Sequence, residues 1–183
     1  MTDALTRHKT VIPSASVEPV RPTSEPEQIR ELLAFTIADE TYALPLTAVR
    51  EIFKSPAITE VPRAGRDVLG VISVRGRITT VVDLRRRLRM PESEVSRQHR
   101  VLLVDGGHEV IGLLVDRVLQ VYRLTAEEVE MAAVVGGDTA DYVMGVGRPK
   151  GGGRSLGRVR TEEDETVKDD ILILLDPVPL LRI

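Results

Sequence analysis

The chain has 183 residues, 42% hydrophobic and 29% charged, with a formal net charge of −3. This length allows one domain or two small lobes sharing a core, and so weak a charge gives no field that would recruit nucleic acid unselectively. With no cysteine, disulfides, thiolate chemistry and sulfur-ligated metals are excluded.

Residues 1–30 hold Pro13, Pro19, Pro22 and Pro26 and no sustained apolar periodicity. Such a stretch buries too little to offset its ordering entropy, so a disordered tail is expected there. The first ten residues lack an apolar signal core, and no run approaches the roughly 18 residues of a membrane span, so a cytoplasmic protein is expected. From Leu32 onward short β-type runs dominate: "LLAFTIA", "VLGVISV", "ITTVVDL", "RVLLVD", "EVIGLLVDRVLQV", "YVMGV" and "ILILLD". Turn residues such as Asp39-Glu40, Gly65, Gly76 and Asp105-Gly106-Gly107 punctuate them. Many short strands at close spacing predict an antiparallel barrel or sandwich. Helix signals are few: a capping box at Thr125-Ala126-Glu127-Glu128, and N-cap aspartates at Asp83 and Asp176-Pro177.

The runs repeat. Residues 43–52 align with 112–121, so that Leu44, Leu46, Val49 and Ile52 match Leu113, Val115, Val118 and Val121. "VLGV" then aligns with "VMGV", matching Gly70 to Gly145, and "ITTVVD" with "ILILLD", matching Asp83 to Asp176. Three matches in the same order indicate an internal duplication. The fold class expected is mainly β: two similar small barrels, each too small to bury its strands alone, packed together. Between Gly145 and Ile171 the second copy carries a long insert, at about 148–169, basic and glycine-rich first and acidic afterwards. Loops beyond about 12–15 residues are usually functional or disordered, and a mobile solvated loop is the expectation here.

Catalytic and metal-binding patterns are missing. His8, His99 and His108 have no ligand-type residue two or four positions away, so a metal site is not expected. No Gly-x-Ser-x-Gly elbow occurs, and Gly145-Val-Gly147 with Lys150 lacks the Gly-Lys-Ser/Thr ending of a phosphate loop. Glu162 to Glu165 lack calcium-loop spacing and read as a solvated run. "DLRRRLR" could be a nucleic-acid patch, but aromatic stacking platforms are scarce, with two Phe, three Tyr and no Trp. Arg85 to Arg87 are therefore expected on the polar face of a short helix. No cofactor, metal or enzymatic activity is expected.

One stretch stands out: "VISVRGRITTVVDL", residues 71–84, puts arginines around a glycine at the tip of an apolar ribbon. A hairpin that only had to turn would use Asn-Gly. Its surroundings supply the explanation. Tyr42-Ala-Leu44-Pro45, Val49-Arg-Glu51-Ile52, Pro62, Gly70-Val71, Val74-Arg75-Gly76 and Val82-Asp83-Leu84 together resemble the CheW-like domain, the coupling protein of bacterial chemosensory arrays. Gly112-Leu-Leu-Val115-Asp116-Arg-Val118, Gly145-Val146 and "ILLD" at 173–176 continue the likeness, which covers 31–183 apart from the insert.

The resemblance implies two five-stranded, SH3-like barrels and a non-enzymatic adaptor. That adaptor would bridge methyl-accepting chemoreceptor tips and the regulatory domain of a CheA-type histidine kinase, and would be recruited from the cytoplasm to receptor arrays. It implies partner-binding roles for Arg75, Glu51, Val49, Ile52 and Val115, and turn or close-packing roles for Gly70, Gly76 and Gly112. Val49 and Ile52 could equally be core. Ser73, Thr80 and Gln120 stand where the family pattern has Asn, Pro and Glu. A scaffold in a specialised non-flagellar pathway and a nucleic-acid-binding barrel remain the alternatives.

Overall fold

The computed structural model describes residues 29–54, 56–93, 96–107, 109–131, 140–150 and 171–183. The expected tail up to residue 28, most of the insert, His8 and His108 lie outside them. Within them the apolar runs form β1 (Arg30–Ile37), β2 (Glu40–Pro45), β3 (Val49–Lys54), β4 (Val68–Val74) and β5 (Arg77–Asp83) in the first copy. The second copy supplies β6 (Arg100–Asp105), β7 (Val110–Val115), β8 (Arg117–Leu124), β9 (Val129–Met131), β10 (Val143–Gly147) and β11 (Leu172–Leu175). Strand β1 begins at Arg30, one residue inside the expected tail.

Two short helices follow equivalent strands. Asp83 accepts from the Arg85 amide at 2.9 Å to start α1 (Leu84–Arg87), and Asp176 accepts from the Val178 amide at 2.9 Å to start α2 (Pro177–Leu180). The capping box at Thr125 and Glu128 is formed, closing a single 3-10 turn at Ala126–Glu128. Each cap satisfies amides that the first turn leaves without partners.

The strands sort into a sheet of order β3-β6-β7-β5-β4 and one of order β8-β1-β2-β11-β10-β9. With β9 set aside and each copy's strands numbered one to five, both sheets read third, first, second, fifth, fourth. Neither sheet belongs to one copy, however. The first contains β3, β4 and β5 with β6 and β7; the second contains β1 and β2 with β8, β10 and β11. The chain crosses between barrels at the 3-10 turn Leu46–Ala48 and again at Asp116. The barrels are thus interlaced halves, and β9 makes the second sheet six-stranded where five strands were expected.

The duplication extends to register. Each sheet has one parallel pair at its centre, Val82 beside Leu113 in the first and Ile173 beside Tyr42 in the second. Bulges fall at matching places, between Val49 and Glu51 against β6 and between Leu33 and Phe35 against β8. Gly70 sits in the β4–β5 bulge and Gly145 in the β10–β11 bulge. A Cβ on Gly70 would stand 2.2 Å from the Thr59 carbonyl oxygen, and its φ is +148°, so only glycine fits.

Burial explains why neither barrel would stand alone. Ile72, Val81, Val101, Leu103 and Leu114 fill one barrel, closed by Phe53 from β3 and by Leu69 and Val74 from β4. Leu32, Ala34, Ala43, Tyr122, Leu124, Leu172 and Leu174 fill the other. The largest cluster lies between them, with Phe35, Ile37, Leu44, Leu84, Leu102, Ile111, Leu113 and Leu175 among its members. Burial of apolar area at about 25 cal/mol per Å² therefore acts chiefly at the joint between the barrels.

Candidate functional site

Strands β4 and β5 are joined by two residues, since Val74 pairs with Arg77. Both joining residues have positive φ, +51° at Arg75 and +79° at Gly76. This is the pattern of a type I′ turn, whose first position favours Asn, Asp or Gly. A Cβ on Gly76 would meet nothing within 4 Å, so its role is conformational. Arginine gains nothing locally from this position and loses of order 1 kcal/mol through its Cβ contacts.

What it gains is reach. Arg75 Nη2 donates to Glu51 Oε1 at 3.0 Å, with side chains 79% and 34% exposed respectively. Glu51 lies on β3, at the opposite end of the sheet order from β4. The pair therefore spans the seam where the sheet closes into a barrel. One residue from Glu51, Ile52 is 43% exposed, and beside the turn Ile78 is 72% exposed. Val49 is half-buried against the central core.

Val115 is 1% exposed within that core, so its side chain does not reach the surface and the partner-binding role expected of it is corrected to a packing one. Strand β7 is covered on both faces, which leaves its alternation no solvent side. Gly112 has the close-packing role: a Cβ there would lie 2.8 Å from Val101 Cγ1 and 3.2 Å from Val81 Cγ2, inside the barrel.

The arginines expected on the polar face of a short helix lie in α1, beside its buried Leu84, and two of them are paired and largely buried. Arg85 pairs with Asp116 through two donors, Nε reaching Oδ1 at 2.9 Å, with side chains 15% and 18% exposed. Asp116 also accepts from the Ala38 amide at 2.7 Å and lies 3.8 Å from Nε2 of buried His99. Burial alone would raise the Asp116 carboxyl, but Arg85, the Ala38 amide and His99 outweigh it and hold it below the ordinary 3.8. Asp116 thus ties both barrels together at one crossover. Arg87 pairs with Asp67, donates to the carbonyl oxygens of Leu180 and Arg182, and lies 5.6 Å from the Tyr142 ring centre. The partners lie 20 to 95 residues apart in the chain, so no local pattern in the sequence marks these ties.

The first residues of the expected insert are anchored. The amides of Arg148 and Lys150 each donate at 2.7 Å, to the backbone oxygen and to Oε1 of Glu128. Among the described residues no group of three or more His, Asp or Glu could hold a metal ion, and no helix is long and apolar enough to cross a membrane.

The CheW-like domain family matches residues 31–182. A probable chemotaxis protein CheW of Rhizobium etli is 32% identical over 109 residues, covering 60% of this chain and 70% of that protein. The chemotaxis protein CheW of Bacillus subtilis is 32% identical over 110 residues, covering 60% and 70%. The crystal structure of the scaffolding protein TtCheW from Thermoanaerobacter tengcongensis superposes with a TM-score of 0.69 at 24% identity, covering 84% of this chain and 93% of its own, which establishes the shared fold. With interlaced barrels and a family match across nearly all the described residues, the chain belongs to the CheW-like family of chemotaxis scaffold proteins.

Proposed function

We propose that this chain is a non-enzymatic adaptor coupling methyl-accepting chemoreceptor tips to the regulatory domain of a CheA-type histidine kinase, and that it works at receptor arrays. The surface proposed for coupling centres on Arg75 and Glu51, with Ile52 and Ile78 as apolar neighbours in sequence. One observation carries this reading: an arginine occupies a turn position that favours other residues, stays 79% exposed, and still engages Glu51 across the barrel seam. An exposed ion pair contributes only about 0–1 kcal/mol, too little to explain the placement by stability.

Isothermal calorimetry with the kinase regulatory domain and a receptor tip fragment tests this. Arg75→Glu faces Glu51 and any acidic partner surface with like charge, and should weaken binding by about tenfold or more while the fold persists. Arg75→Ala should do less, and the gap between them should narrow at high salt as screening grows. Unchanged binding for Arg75→Glu, Arg75→Ala and Glu51→Arg would move the coupling surface elsewhere.

A further inference from the structure

The two barrels differ in how the chain that leads into each of them is covered. Leu33 pairs with Leu44 in β2, and Leu102 with Leu113 in β7. The duplication matches Leu44 to Leu113, so Ile29 and Arg30, which lead into β1, correspond to Gln98 and His99, which lead into β6. At the first barrel the residues between α1 and β6 lie over the crossover at Asp116. His99 is 6% exposed beside Asp116, Gln98 accepts from Arg117 Nη2, and the Pro91 carbonyl oxygen accepts from Arg85 Nη1 at 3.2 Å. Met90 packs on the central cluster.

At the second barrel the equivalent positions stand open. Thr47 replaces Asp116 and Val178 replaces Arg85; Thr47 is exposed, Val178 is 60% exposed and Ile29 57%. Ile29 and Thr47 line a groove of about 610 Å³ with Leu32, Pro45, Met144 and Leu174. Leu32 and Leu174 are core residues of this barrel and Met144 packs against them, so the floor of the groove is its apolar interior. On the same lining Glu31 and Arg123 pair at 2.7 Å. Arg30, also in the lining, donates to the Met131 sulfur at 3.7 Å and pairs with no carboxylate among the described residues. The groove therefore suits an apolar segment that carries one acidic side chain.

We propose that this groove is the docking site of the chain's own Val17-Glu18-Pro19-Val20. The residues before Ile29 arrive at the edge of the groove, because Ile29 itself lines it. Val20 precedes Ile29 by the same nine residues that separate Arg89 from Gln98, the stretch that covers the first barrel. Nine residues reach up to about 30 Å when extended, more than enough to bring the segment over the groove. Val17 and Val20 supply apolar side chains, and Glu18 supplies the carboxylate that Arg30 lacks. So short a segment buries little, but attachment through a short linker gives it an effective concentration of order millimolar, and a weak contact suffices. The groove belongs to the barrel that does not carry Arg75, so the inference stands whether or not the coupling surface is placed correctly.

The test compares the full chain, labelled at its methionine methyls, with the full-length double variant Val17→Asp/Val20→Asp by NMR. The Met144 methyl signal should move, while that of Met90, packed on the central cluster, should stay and report an intact fold. A peptide spanning residues 14–24 is then titrated into both chains. The double variant should bind it saturably and regain the wild-type Met144 signal. Wild type should bind it about tenfold or more weakly, because its own segment competes. Arg30→Gln added to the double variant should weaken the peptide about threefold or more, with a smaller effect at high salt. A Met144 signal that stays put in the double variant, or a peptide that binds neither chain, would overturn the proposal. So would equal binding to both chains, which would leave the groove to a partner from outside, and a wild-type Met144 signal that changes with protein concentration, which would assign the segment to a second copy.

Discussion

The two barrels are built on one plan and differ in particulars, among them the edge strands β3 and β8. Strand order, central parallel pair, bulge positions and aspartate-capped helix recur in both. At the edge strand they part. The barrel containing β3 shows Arg50, Glu51 and Ile52, with Arg50 paired to Asp105 and Glu51 to Arg75. The barrel containing β8 shows Leu119, Gln120 and Val121 at the equivalent positions, and Gln120 has no charge to pair. One molecule thus carries its own control. Because the second barrel holds the same strand order without a glutamate at this position, the Arg75–Glu51 pair is not a requirement of the architecture. Features shared by both barrels are structural, and the feature found in one is where a partner-specific role belongs.

That division predicts which changes should matter most to folding. Gly70→Ala should be the most damaging, at about 3 kcal/mol, because the new Cβ meets backbone at 2.2 Å with φ +148°. Its counterpart Gly145→Ala meets the Glu130 carbonyl oxygen at 2.6 Å, on the three-residue edge strand β9 that can yield, and urea melts should show a smaller loss. Equal losses would mean that the edges of the two barrels are equally rigid. Asp116→Ala leaves Arg85 buried without its counter-charge, and about 3 kcal/mol is expected. Thr47, its equivalent at the other crossover, is exposed, and Thr47→Ala should stay within about 0.5 kcal/mol.

The same carboxylate sets an acid dependence. Its folded value lies below the ordinary 3.8, so its contribution is present above that pH and is lost as pH falls through the folded value. Wild type should therefore shed stability below about pH 4 more steeply than Asp116→Asn, in melts across that range. Smaller again is the interior exchange: Gly112→Ala crowds Val101 and Val81, and Ala43→Gly opens the matching position of the other barrel. Each should cost about 1–2 kcal/mol, the first by overpacking and the second by lost burial and added chain entropy. Smallest is Arg75→Asn, which suits the type I′ turn and should hold or raise the melting point, by up to about 1 kcal/mol.

Local chemistry was legible in the sequence. Asp83, Asp176 and the Thr125–Glu128 box signal caps because their partners lie within three residues. The repeat was legible because apolar spacing and the two aspartates recur in order. Pairing between distant strands was not: nothing in the order of the runs says that β3 leaves its own copy to join β6. The run 109–121 reads as one strand, yet Asp116 breaks it, drawn out of the ladder by Arg85 and the Ala38 amide. The ties of Arg85 and Arg87 were not legible because their partners lie far off in sequence, Asp67 20 residues before Arg87, Asp116 31 residues after Arg85, and Leu180 93 residues after Arg87. For Val115 the resemblance implied a partner-binding role, and its burial was not legible because a strand covered on both faces leaves no alternation to read. At the turn itself, composition flagged Arg75 as out of place, and the structure supplied the reason it matters, a positive φ and a partner across the seam.

The most direct test of the account exchanges the two charges. Arg75→Glu, Glu51→Arg and the double variant are melted and titrated with the kinase regulatory domain and receptor tip. Each single reversal sets like charges together, whereas the double variant re-forms the ion pair in reverse. The account predicts that the double variant recovers wild-type stability yet binds about tenfold or more weakly, because the partner meets inverted charges. Full recovery of binding in the double variant would contradict it, showing that the pair acts only as a latch within the barrel.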